Sequence, residues 1–278
     1  MNDLSDHRIR ELMDQLDSLV DGEAAAARLV ACGRAAIEPL RHFVLDSPAR
    51  GVAEPRCWAV QALAGLGAKD TLIEYLKTDA VTPDPVVRLA EEAVQRAAAL
   101  ALAAWRTDDV FDLLLALVAR RPSSGTIEAL GEFERRNAVP VLLNVLEDGY
   151  YRPWAEVALD RVADRDRDLL IRSALSPMPN ADMETESSLR RRRALLQLLR
   201  HVQLSSDECH RIAPLIDSAD LELAVDAAAL AITCGTESDA QRARRRLWTI
   251  APAVPWHLHP DVQALMQVPA STNELHKQ

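Results

Sequence analysis

Apolar residues return along this chain three or four positions apart, and the polar turns between them recur. Ile9, Leu12, Met13, Leu16, Leu19 and Val20 form one stripe at helical spacing. The stripe predicts an opening helix over 6–20, which Asp21-Gly22 stops. Ala62-Leu63-Ala64-Gly65-Leu66-Gly67-Ala68-Lys69-Asp70-Thr71-Leu72 then reads as the end of one helix, a tight polar turn and the start of a second. The run from Ala129-Leu130-Gly131 to Val139-Pro140-Val141-Leu142-Leu143 repeats the design. A recurring helix pair of this size predicts an α-solenoid, in which each repeat packs on its neighbours, not a globule around one centre.

Seven such pairs can be marked on the chain. They are 23–31 with 36–45, 56–66 with 70–77, 85–105 with 109–120, 126–134 with 138–146, 153–162 with 167–175, 189–202 with 207–216, and 221–233 with 238–250. Asp84 is placed to cap its helix, and Pro85 suits the first turn, whose amides lack intrahelical partners. The opening helix is expected to cap the first pair. The irregular stretch 177–187 is a candidate seam, 261–268 a short terminal helix and 269–278 a frayed polar tail. The expectation is one solenoid domain over 1–278.

These residues resemble HEAT repeats, in particular the short bacterial type named after phycobiliprotein-lyase relatives. Asp84, Val87, Arg88 and Ala90 match the opening of that unit. Ala62-Leu63, Leu66-Gly67 and Leu72 match its middle and end, as do Ala129-Leu130, Val139-Pro140 and Leu142. Asp220, Leu223, Ala224, Ala227 and Ala228 give a looser echo. The likeness covers residues 23–250 and implies an armadillo-type superhelix. It departs from the family pattern in the third, fifth and sixth pairs, where the turn glycine is missing. Such repeats serve mainly as protein-binding scaffolds, with enzymes a minority.

Composition agrees with an all-α fold. Apolar residues are 49% of the chain, aromatics 4%, and glycines number only 9; a β-rich chain draws more heavily on turn glycine and on aromatic and β-branched residues. The net charge of −10 disfavours nonspecific binding to nucleic acid or to an anionic membrane. Lysine stands only at Lys69, Lys77 and Lys277, the other basic residues being arginine; with the abundant alanine, this reads as a high-GC bacterial genome. Cys32, Cys57, Cys209 and Cys234 lie far apart. The apolar helical settings of Cys32, Cys57 and Cys234 predict buried free thiols. No leader and no membrane-length apolar run is visible, so a soluble cytoplasmic protein is expected.

Chemical motifs are sparse. Nucleotide fingerprints, a nucleophile elbow and the paired His-Glu steps of HEAT-like metal hydroxylases do not occur. His257 and His259 with Asp261 offer two neighbouring imidazoles, short of a zinc site and read as a surface turn. Asp164, Asp166 and Asp168 alternate like the start of a calcium loop, but Leu169 and Leu175 occupy the places that need glycine and glutamate, so an ordinary turn is expected. Arg190-Arg191-Arg192-Arg193 and Arg242, Arg244, Arg245, Arg246 form two basic clusters. They are read as solvated helix faces, with a phosphate-binding groove as the rival. Trp58 and Trp154 are expected to pack between repeats, and Trp248 and Trp256 to close the core at the C-terminal end.

The resulting expectation is a non-enzymatic scaffold that binds another protein and needs no cofactor, metal or membrane. In a HEAT pair the second helix lines the concave face. Arg41, Lys77, Asn144, Arg172, Arg211 and Arg245 are therefore the candidate protein-binding residues. Charge reversal at Arg121, in a turn, is expected to leave such binding unchanged. The alternative is an enzyme or enzyme subunit, lyase-like or DNA-glycosylase-like, that holds a ligand or nucleic acid in the groove.

Overall fold

In a computed structural model, residues 2–48, 51–78, 83–177 and 184–267 are described, and they form helices joined by turns with no strand among them. By its contacts the chain divides into two units, 1–142 and 143–278. The first holds α1 (Asn2–Leu16), α2 (Gly22–Ala31), α3 (Ile37–Leu45), α4 (Glu54–Gly65), α5 (Lys69–Lys77), α6 (Pro85–Ala103), α7 (Asp108–Arg120) and α8 (Ser124–Gly131). The division falls inside α9 (Val139–Val145). The second unit holds α10 (Arg152–Val162), α11 (Arg167–Leu175), α12 (Glu186–Leu199), α13 (Ser206–Ile212), α14 (Leu221–Cys234), α15 (Glu237–Ile250) and α16 (His259–Gln267).

Within the first unit, the leading helix of each pair packs on the leading helix of the next: α2 on α4, α4 on α6, α6 on α8. Each trailing helix packs on the next leading one, α3 on α4, α5 on α6 and α7 on α8. The apolar stripes drive this order. Leu29, Leu63, Leu102 and Leu130 are fully buried near the ends of the four leading helices. Four residues further on, each chain segment turns in the left-handed region, at Gly33 (φ 70°), Gly67 (φ 73°), Arg106 (φ 54°) and Glu134 (φ 50°). Glycine takes that conformation freely, whereas a side chain costs about 1–2 kcal/mol there. Gly125 permits close backbone packing: a Cβ on it would meet the Arg96 Cα at 2.3 Å, so α8 rests directly on the α6 backbone.

The second unit follows the same order, with α10 on α12, α12 on α14, α11 on α12 and α13 on α14. Pro214 cannot continue α13, and the chain tightens into a 3-10 turn, Ala213–Asp217. Side chains start these helices as expected. Asp84 Oδ1 accepts from Val86 N at 2.8 Å, and Ser205 and Glu208 form a capping box on α13.

The opening helix ends four residues earlier than its stripe predicts, at Leu16. Ser18 Oγ accepts from the amides of Val20 and Asp21 and closes the chain into a turn, leaving Leu19 64% and Val20 89% exposed. Of the irregular segment 177–187, residues 178–183 lie outside the described residues, as does the tail 269–278. Among the described residues, no helix is long and apolar enough to cross a membrane.

Candidate functional site

The trailing helices carry the predicted binding residues, and the structure joins several of them by ion pairs. On the first unit, the Arg41 guanidinium of α3 meets Glu74 of α5, Nη2 to Oε1 at 2.8 Å, and Glu38 of its own helix at 3.5 Å. Lys77 is exposed at the end of α5. On the second unit, Asp168 of α11 holds both Arg172 Nε at 3.0 Å and Arg211 Nη2 of α13 at 2.8 Å. Asn144 and Arg245 are exposed on α9 and α15. Arg41 thus meets Glu74, and Arg172 and Arg211 share one carboxylate. Among the described residues, no ion pair joins Lys77, Asn144 or Arg245 to these groups. Arg121 does not behave as a simple turn residue. Its guanidinium donates to the carbonyls of Leu76 and Thr78 at the end of α5, so charge reversal there disturbs the fold and cannot serve as a neutral control.

The four-arginine run on α12 is engaged by the protein itself. Arg190 pairs with Glu186, Arg191 with Glu147 and the Ser176 carbonyl, Arg192 with Glu184 and the Ala174 carbonyl, and Arg193 with Asp220 and Glu222. Arg191 and Arg192 are buried. Arg191, Arg192 and Arg193 are structural clamps with partners outside α12, not the solvated helix face expected from sequence, whereas Arg190 is exposed and pairs within its own helix. In the second basic cluster, Arg242 pairs with Asp217 and Arg246 donates to the Ser218 carbonyl.

Other motifs resolve in the same way. Asp166 caps α11 by accepting from Leu169 N, while Arg167 pairs with Asp164 at 2.8 Å. His259 Nε2 lies 2.9 Å from the Val254 carbonyl, and His257 faces Glu222 at 3.7 Å. The Trp58 ring packs on Gly22, where a Cβ would approach it to 2.2 Å, as its place between repeats predicts. Trp248 and Trp256 depart from expectation. They are 70% and 83% exposed, because the buried stripe at this end runs through Leu247, Ile250, Val254 and Val262, and Trp248 falls one residue off it.

The cysteines require a correction. Cys209 of α13 and Cys234, the last residue of α14, form a disulfide with their Cα atoms 6.1 Å apart. Free thiols remain at Cys32 and Cys57, both half-buried. A separation of 25 residues concealed the pairing, which packing of α13 on α14 brings about. Burial pushes the Cys57 thiol up, away from reactive thiolate.

Two buried polar clusters escaped the sequence reading. In the first unit, Glu91 of α6 accepts from Arg56 of α4 and from the Tyr75 hydroxyl of α5, and Arg56 also donates to the Val44 carbonyl ending α3. Burial and the neighbouring Glu91 push the Tyr75 hydroxyl well above the usual phenol range. In the second unit, the Asp226 carboxyl of α14 faces Gln197 at 3.4 Å and Arg200 at 3.3 Å. Burial raises it to about 6 despite the Arg200 charge. A pairing on the leading helices was missed as well: Asp160 of α10 lies 3.2 Å from His201 Nδ1 just past α12, with Glu156 one turn away. No family model matches the chain, and no similar curated protein is found.

Proposed function

We propose that this chain is a HEAT-like α-solenoid and serves as a non-enzymatic scaffold, holding another protein on the face formed by its trailing helices. One observation carries the reading. Trailing helices that follow each other are joined across their exposed sides by charged side chains, Arg41 to Glu74 in one unit and Arg172 and Arg211 to Asp168 in the other. Such pairs contribute little to stability where solvent reaches them. A partner that excludes water from them gains charge complementarity and orientation. Regular packing of leading and trailing helices on their successors supports the solenoid reading. Engagement of the α12 arginines within the protein argues against a phosphate groove there.

The test starts from a partner captured on the full-length chain and identified by mass spectrometry. Arg172→Glu combined with Arg211→Glu is expected to weaken that partner at least tenfold without changing the melting temperature. Arg190→Glu, on the leading helix α12, is expected to leave affinity unchanged. Loss of binding on Arg190→Glu alone, with the double variant intact, moves the interface off the trailing helices and ends the proposal.

A further inference from the structure

A cleft of about 290 Å³ opens between α10 and α12 of the second unit, on its leading helices. Its apolar walls are Val157, Ala194 and Leu198. That volume lies at the lower end for ligand pockets, so it suits one side chain better than a cofactor.

The cleft holds two carboxylates, Glu156 and Asp160. Glu156 is half-buried and forms no ion pair among the described residues; burial raises its carboxyl above the ordinary carboxylate value, and Arg152 offsets this only in part. Asp160 Oδ1 lies 3.2 Å from His201 Nδ1 at the rim of the cleft. Gln197 donates one amide N–H to Asp226, and its carbonyl oxygen remains an acceptor at the cleft. Apolar walls with acceptors around them match a group that carries N–H donors on an aliphatic stem. Lysine and arginine side chains are such groups, and a chain of net charge −10 attracts a basic partner.

From this we infer that the α10–α12 cleft receives a lysine or arginine side chain presented by a polypeptide partner, with Glu156 as its counter-ion. Val157 and Leu198 hold the stem, and Asp160 and the Gln197 carbonyl take the remaining donors. The cleft lies on leading helices, so it stands or falls independently of the trailing-helix face.

Two capped heptapeptides of alternating alanine and leucine test this, one with arginine and one with norleucine at the centre, each titrated against the full-length chain. The arginine peptide is expected to bind at least tenfold more tightly. Glu156→Gln is expected to abolish that preference at unchanged melting temperature, and Val157→Arg, which supplies a cation at the rim, to abolish it as well. Asp112→Asn, exposed on α7, is expected to preserve it. Equal affinity of the two peptides for the unaltered chain overturns the inference, as does a preference that survives Glu156→Gln. Free arginine amide binding as tightly as the arginine peptide also overturns it, since the cleft is then a site for small cations rather than for a polypeptide.

Discussion

The two units pack helices in the same order but secure them by different means. In residues 1–142, four pairs turn through a left-handed residue four positions after a buried leucine, and Arg56, Glu91 and Tyr75 tie three helices together from inside. In residues 143–278, the described turns contain no left-handed residue. There a disulfide joins α13 to α14, and Arg191, Arg192 and Arg193 of α12 reach out to carboxylates and carbonyls beyond their own helix. Regular turns let the first unit rely on repetition of backbone geometry. Where the turns are irregular, side chains hold the register instead.

The largest effect expected from breaking this comparison is at Glu91. Glu91→Ala strands a buried guanidinium and a buried hydroxyl together, and is expected to cost about 3–5 kcal/mol, read as a lower urea midpoint. Hydrogen exchange is expected to show the loss within residues 1–142. An unchanged midpoint would mean that the cluster is not a lock.

In the second unit the matching experiment is Cys209→Ser, or reduction of the unaltered chain. Either is expected to cost about 2–4 kcal/mol, since the bond closes a loop of moderate length in the unfolded chain. Protection should fall in α13 and α14 while α4 to α6 keep theirs. Equal loss in both units would merge the two mechanisms into one.

Asp226 sharpens the contrast through pH. Its folded carboxyl titrates near about 6 against an ordinary 3.8. A raised value means that the folded state favours the proton. The associated stability is fully present below about pH 4 and is lost as pH rises through about 6. Asp226→Asn should therefore melt above the unaltered chain at pH 7, by the equivalent of about 2–3 kcal/mol, with the gap closing toward pH 4. A gap independent of pH would show that Asp226 does not titrate in this range.

The smallest effects lie in the left-handed turns. Glu134→Gly is expected to stabilise by about 1 kcal/mol, and Gly67→Ala to destabilise by a similar amount. Melting curves that move the same way for both variants would remove backbone geometry as the reason for the regular turns.

The sequence shows the helices because their stripes are local. Leu72 and Leu142 are fully buried where the pattern places them, and Gly33 and Gly67 mark their turns. Arg106 and Glu134 hide the same turn, since only surrounding packing can hold a side chain there. The fate of the α12 arginines was equally invisible, because Glu147, Ala174 and Asp220 reach them from other elements. Of the candidate face, residue types and helix positions were legible, while sharing of Asp168 by Arg172 and Arg211 depends on how α11 meets α13. The Asp160–His201 pair spans 41 residues and leaves no motif.

Arg56, Arg121 and Arg192 each donate to the final carbonyls of an earlier helix, at Val44, at Leu76 and at Ala174. A planar fork with donors on several edges can grip a carbonyl and a carboxylate at once, as Arg56 and Arg192 do; an ammonium on a flexible stem concentrates its donors at one point. Exchange of arginine for lysine, ordinarily among the mildest steps open to a drifting gene, is therefore a severe one at these positions. Descendants of this chain should hold arginine there long after the exposed charges have been reshuffled.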